Sequence, residues 1–220
     1  MRVGITLTGA DEQTPLRELK DLATRAGVEV GLLLTCNPEG RNRYPGRYWL
    51  EQAVFLLDIR CAVHVCGREA RRLALQGSFP WLRHAGRLQI NGAVSPEEVE
   101  QALRIVPHVI TQHGARNPDL SALDLPGHCI LVDGSGGRGL SPEKWVRPSF
   151  APASKPVGFA GGLGPDNLAE ELPRIAEVAT GTWWVDMEGK LRGKGDDRFS
   201  LRKAHECVDI MHAWWRGRST

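Results

Sequence analysis

No run of about 18 apolar residues occurs in the chain, so no transmembrane helix is expected. The amino-terminal stretch Arg2–Thr8 is strand-like. It carries no apolar segment followed by a small-residue cleavage site, so no signal peptide is expected. Cysteine is scarce, odd in number and irregularly spaced: Cys36, Cys61, Cys66, Cys129 and Cys207. The close pair, Cys61 and Cys66, has no matching second pair. A disulfide framework or a zinc site is therefore not expected, and the cysteines read as reduced thiols of a cytoplasmic protein. Charge imbalance is also small, +2 in total. It gives no reason to expect a nucleic acid or a membrane as partner. Away from the chain ends, Arg41, Arg43 and Arg47 form a tight basic group.

What is present is an ordered alternation. Hydrophobic residues make up 41% and charged ones 25% of 220 residues, the composition and length of a globular chain. Short apolar runs read as strands at Arg2–Thr8, Val28–Cys36, Cys61–Cys66, Arg87–Asn91, Val109–Gln112, Cys129–Asp133, Pro156–Ala160 and Thr182–Met187. They are continuous rather than alternating, the pattern of parallel strands buried on both faces. Amphipathic stretches between them read as helices. Pro15–Ala26 has Thr14 as N-cap and Gly27 as its stop. Trp49–Leu57 and Arg68–Leu75 follow. Ser95, Pro96 and Glu98 make a capping box. The connection from Gln112 to Leu125 is weak and Pro-rich. Ser141–Trp145 reads as a short helix, and Pro165–Ala179 and Leu201–Trp215 as longer ones. Eight such units predict one (β/α)8 barrel over residues 1–220. An open doubly wound sheet would want a glycine-rich turn after the first strand. Leu7–Glu12 offers one glycine, Gly9.

A barrel places its chemistry at the carboxyl ends of its strands. Those ends hold Thr6, Thr8, Cys36, His64, Cys66, Asn91, Gln112, His113, Asp133, Gly161, Gly162, Asp186 and Glu188. The segment Gly158–Asn167 ends a strand, offers two glycines and opens a helix at Pro165. Glycines let backbone N–H groups approach an anion, and a helix start favours one; the bland alternative is a tight turn. Val185–Gly189 supplies a second turn. Asp133 heads a loop with four glycines and could move a proton, or merely cap that loop. Arg41 or Arg43 could clamp a carboxylate or phosphate, or sit in a solvated loop. His64 and Cys66 share a strand face without a further ligand, which favours packing roles. The tryptophans, among them Trp183, Trp184, Trp214 and Trp215, read as core and helix-face aromatics.

At these positions the chain resembles the phosphoribosylanthranilate isomerases, (β/α)8 enzymes of tryptophan synthesis. Gly161-Gly-Leu-Gly-Pro-Asp-Asn-Leu168 is similar to the family's phosphate loop, and Val185-Asp-Met-Glu-Gly189 to its last strand and turn. Asp133, Gly136–Gly139 and Trp145 look like its sixth-strand segment, and Arg43-Tyr44 like its Lys-Arg-Tyr. The resemblance covers roughly the last 90 residues; the first half matches in order of elements. It implies a phosphorylated sugar as ligand, no cofactor, and an Amadori rearrangement. In that reaction an acid protonates the furanose ring oxygen and a base removes the C2 proton. Asp133 would be the acid and Arg43 the carboxylate clamp. Backbone N–H groups near Gly161, Gly162 and Gly189 would hold phosphate, with Asp186 and Glu188 beside the substrate.

The sequence departs from that family at the base, a cysteine at the end of the first strand. Thr8 stands there, and a threonine hydroxyl is too weakly acidic to serve. One reading moves the base to Cys36 on the neighbouring strand, its thiolate stabilised by Arg41 or Arg43. A second makes the chain a barrel enzyme for another phosphorylated metabolite. A third makes it a non-catalytic protein that binds a phosphorylated ligand.

Overall fold

The computed structural model describes residues 3–114, 117, 120–133, 140–149, 151–193 and 195–218. All eight apolar runs form strands. They are β1 (Val3–Thr8), β2 (Val28–Thr35), β3 (Cys61–Cys66), β4 (Arg87–Ile90), β5 (His108–His113), β6 (His128–Asp133), β7 (Val157–Ala160) and β8 (Trp183–Met187). The edges differ from the expected ones by a residue or so. Pro156 drops out of β7, as a residue without an N–H cannot donate to the ladder. Every strand pairs in parallel with the next, and β8 closes on β1 through Val3↔Trp183 to Leu7↔Met187. The result is the predicted (β/α)8 barrel.

Alternation along each strand then sorts its side chains. Ile5 and Leu7 of β1, Val30, Leu32 and Leu34 of β2, and Val63 and Val65 of β3 point outward into the main hydrophobic core. There they pack with Leu19 and Leu22 of α1 (Leu16–Ala23), Leu50 and Val54 of α2 (Arg47–Leu57), and Leu172 and Ile175 of α5 (Leu168–Val178). A much smaller apolar group, Ile110, Cys129, Leu131 and Trp184, fills part of the barrel's inside. Below it lies an ion pair. Arg87 of β4 donates to both carboxylate oxygens of Glu29 on β2 (2.6 and 2.7 Å) and to the Thr6 hydroxyl (3.0 Å). The guanidinium also lies 4.2 Å from the centre of the Trp184 ring. A buried charge persists when its partners satisfy it this fully.

The helices start only in part where the capping signals place them. α4 (Pro96–Leu103) has the Ser95–Glu98 capping box, with both reciprocal hydrogen bonds made. Thr14, expected to cap α1, does not. Its hydroxyl accepts from the Asp11 N–H instead, closing the turn after β1. Gly27, expected to stop that helix, does not end it: α1 stops at Ala23 with Thr24 as its cap, and Gly27, with φ 72°, belongs to the turn that leads into β2. α5 begins at Leu168 and not at Pro165, because Asn167 first closes a turn: its Oδ1 accepts from Gly164 N–H and its Nδ2 donates to Gly162 O. Ser141–Trp145, expected to be helical, is irregular. Trp145 anchors the segment instead, donating to Glu171 (2.7 Å) and meeting Phe159 edge-on. α3 (Arg68–Leu75) and α6 (Leu201–Arg216) complete the outer layer. The weak connection after β5 contains a 3-10 turn, Leu120–Ala122. The glycines at 134–139 lie outside the described residues.

Candidate active site at the carboxyl end of the barrel

A cavity of about 540 Å³ opens at the carboxyl ends of the strands. Thr8, Arg43, Asp133, Gly161, Gly162, Asp186, Glu188 and Gly189 all line it, so residues scattered over the sequence meet in one place. His64, Cys66, Asn91 and Gln112 line it too. Thr6 and His113 do not. Thr6 lies one layer lower on the inner face, and His113 follows Gln112, so alternation turns it away. A larger cavity of about 850 Å³ at the other end is bordered by Trp183, Trp184, Trp214 and Trp215. Its charged inner groups, Arg87 and Glu29, are spent on each other.

Two carboxyl groups occupy matching levels. Asp133 on β6 is in register with Ala160 on β7, and Ala160 with Asp186 on β8. Their backbones are therefore about 10 Å apart, twice the spacing of neighbouring strands. Asp186 is buried, and the Thr8 hydroxyl donates to its Oδ1 at 2.7 Å. Its Oδ2 is 4.0 Å from His64 Nε2. Burial pushes Asp186 up to about 7, against the opposing pull of the Thr8 hydrogen bond and the Arg87 charge. Burial and then Arg87 hold His64 down to about 3, so its ring is neutral.

Arg43 reaches the mouth but is already engaged. It donates to Glu188 at 2.7 Å and, through two nitrogens, to Asp197 at 2.8 and 3.2 Å. Burial raises the Glu188 carboxyl, while Arg43 and Arg192 oppose the shift. Arg192 extends the network, bonding Asp197 and the Gly9 carbonyl and pairing with Asp11. These contacts tie the loops after β1, β2 and β8 together. Asp11, Arg192 and Asp197 were not foreseen from sequence. Their partners are up to 188 residues away along the chain, as in the Phe199 N–H to Asp11 bond, so no local spacing announces them.

The two glycine turns face the cavity. Gly161 and Gly162 have φ of 130° and 57°, a backbone that side chains rarely adopt. Among the described residues, the N–H groups of Gly162 and Gly189 meet no acceptor. Lys190, also unforeseen, lines the cavity and pairs with Asp166 at 2.8 Å. Gly164 makes room for it: a Cβ there would stand 2.4 Å from the Lys190 Cβ. The one sequence signal for Lys190 was its place directly after Gly189.

Cys36 does not join the site. β2 ends at Thr35, and Cys36 lies in the bend that follows it. It is exposed, and it is not among the residues that line the cavity. Burial and the nearby Glu69 push its thiol up; the opposing cation is Arg72 of α3, not Arg41 or Arg43. Cys66 does line the mouth, but burial pushes it up to about 11 despite the Asn91 hydrogen bond. Among the described residues, no group of three or more His, Cys, Asp or Glu side chains is placed to hold a metal ion. No helix among them is long and apolar enough to cross a membrane.

No protein-family model matches the chain, and no curated protein matches it. Solved structures do. Phosphoribosyl anthranilate isomerase from Thermus thermophilus superposes with a TM-score of 0.67 at 21% identity, over 97% of this chain and 100% of that one. The fold is that of the phosphoribosylanthranilate isomerases. TrpF from Jonesia denitrificans gives a TM-score of 0.65 at 18% identity, over 96% of this chain and 97% of its own. An isomerase of this name in complex with reduced 1-(o-carboxyphenylamino)-1-deoxyribulose 5-phosphate gives 0.64 at 13% identity, over 96% of this chain and 99% of its own. At such identities the likeness to these isomerases is one of fold.

Proposed function

We propose that this chain is a divergent relative of the phosphoribosylanthranilate isomerases that carries out an Amadori-type aldose–ketose isomerisation of a phosphorylated sugar amine. One observation carries the reading: a single cavity at the carboxyl end of the barrel gathers both glycine turns and the carboxyl groups of Asp133 and Asp186. The phosphate sits on the N–H groups of Gly161, Gly162 and Gly189, with the Lys190 ammonium at the rim. Asp133 is the acid that protonates the ring oxygen. Cys36 has no place in the step, since it is exposed and does not line the cavity.

Arg43 favours a narrower substrate. Its single positive charge already faces two carboxylates, Glu188 and Asp197, so a carboxylate on the amine substituent would enter a net negative environment. The preferred substrate is therefore a phosphoribosylamine whose substituent is neutral or cationic. The test incubates the purified protein with N-(5′-phosphoribosyl)anthranilate and with 5-phosphoribosylamines lacking the carboxylate, and follows ketose formation by NMR. Turnover of the uncharged members, with weaker turnover of the anthranilate, is expected. Phosphate-dependent binding without turnover of any member would leave a binding protein and reject the isomerase.

A further inference from the structure

An isomerase built on this mouth needs a base, and neither Thr8 nor Cys36 supplies one. We propose that Asp186 is the base, moved to β8 from the end of β1, with the Thr8 hydroxyl as its positioning group. This assignment rests on the isomerase reading above.

Four observations carry it. The first is that Thr8 spends its hydroxyl proton on Asp186 Oδ1, at 2.7 Å. Gly31, its register partner on β2, gives Thr8 the space to do so, since a Cβ there would stand 2.1 Å from Thr8 Oγ1. A second is that Asp186 Oδ2 is left with no hydrogen-bond donor among the described residues. Its nearest cation-forming neighbour is His64 Nε2, at 4.0 Å, itself without a hydrogen-bond partner. A buried carboxyl held by one hydroxyl and no close cation lowers stability, so packing does not explain it. A third is that the competing groups are committed. Glu188 is held by Arg43 at 2.7 Å, and Cys66 takes the Asn91 amide at 3.3 Å. The fourth is placement, because Asp186 and Asp133 flank Ala160 on either side of the same cavity wall.

The proton count closes. Asp133 gives its proton to the ring oxygen as the C1–O bond breaks, leaving a C1=N iminium. The Asp186 carboxylate removes the C2 proton, and the C2–H electron pair becomes the C1=C2 bond of an enolamine. Asp186 then returns its proton to C1 while the C2 hydroxyl loses its own to Asp133. The product is the ketose amine, and both acids regain their starting states. The groups that bear on Asp186 are Thr8 from β1, Glu29 from β2, His64 from β3, Arg87 from β4 and Glu188 further along its own chain segment. Burial acts in the direction a base working near neutral pH requires.

The experiment uses the full chain with carboxyl-labelled aspartate. In the NMR titration one aspartate should titrate near neutral pH. Its signal should vanish in Asp186→Asn and move to higher pH in Thr8→Val, which removes the donor that favours the charged form. Thr8→Ser should restore the wild-type position. Turnover of the 5-phosphoribosylamines should fall about 10² or more in Asp186→Asn, and the acid limb of the rate profile should shift in Thr8→Val. Cys36→Ser should change neither measurement. An Asp186 that titrates in the ordinary carboxylate range overturns the assignment. So does an Asp186→Asn that turns over within a few-fold of wild type, and the isomerase reading then survives. Wild type that turns over no phosphoribosylamine removes that reading and this assignment together.

Discussion

Thr8 and Gly31 face one another in register on β1 and β2, and the volume that glycine leaves empty is where the Thr8 hydroxyl turns toward Asp186. Gly31→Ala should therefore displace Thr8 and destabilise the protein by about 1–3 kcal/mol, the usual effect of overpacking a filled interior. Gly31→Ala combined with Thr8→Ala should recover only part of that loss, because a Cβ at position 31 would still stand 2.8 and 2.9 Å from the Cβ and Cα of residue 8. Chemical denaturation of the two single variants and the double variant measures the coupling. Additive effects would mean that the two residues do not share this space.

Asp186 also sets a pH dependence. Its carboxyl is at about 7 in the folded chain against an ordinary 3.8. Between those values the folded state binds more protons than the unfolded one, so this group's contribution to stability falls as pH rises. His64 works the other way. It is held at about 3 against 6.5, so the unfolded state binds more protons there and stability rises with pH. The clean measurement is the difference between Asp186→Asn and wild type. That difference should grow in the variant's favour from pH 4 to pH 7, toward an upper bound of about 4 kcal/mol. A difference that stays flat across this range would mean that Asp186 is not shifted.

How much of this was legible in the sequence depended on how local each signal is. The eight strands were, because continuous apolar runs such as Leu32–Leu34 mark burial on both faces. The Ser95–Glu98 cap and the Gly161–Gly162 turn were, because each is written within a few residues. Cys36 is not at a strand end, because β2 stops one residue short at Thr35 and leaves Cys36 exposed outside the cavity, a boundary the apolar run does not mark. Arg43 was identified at the mouth, but its pairing with Glu188 and Asp197 was not. Those partners are 145 and 154 residues away. The Thr8–Asp186 pair depends on barrel closure, which brings β8 beside β1, and no spacing along the chain encodes that contact.

The Arg43 clamp gives a prediction about specificity. Glu188→Gln removes one of the two negative charges on the guanidinium. Binding of reduced 1-(o-carboxyphenylamino)-1-deoxyribulose 5-phosphate should strengthen about fivefold, on the order of 1 kcal/mol, relative to the same compound without its carboxylate. Calorimetric titration of both compounds reads the ratio. An unchanged ratio would mean that the substituent does not reach Arg43.

Lys190 should contribute to phosphate binding. Lys190→Ala should weaken inorganic phosphate binding about tenfold, the loss of one charge-assisted contact. The loss should shrink as salt screens the exposed ammonium. Equal binding by variant and wild type at low salt would place the phosphate elsewhere.

One cavity should hold a phosphorylated sugar between Asp133 and Asp186. The most direct test is a crystal structure of Asp186→Asn with a reduced 1-amino-1-deoxyribulose 5-phosphate. Phosphate is expected on the N–H groups of Gly162 and Gly189. The sugar C1–C2 bond should lie within hydrogen-bond reach of position 186, with the sugar's former ring oxygen facing Asp133. A phosphate bound away from both glycine turns, or a sugar chain that points out of the barrel and away from Asp186, would contradict it.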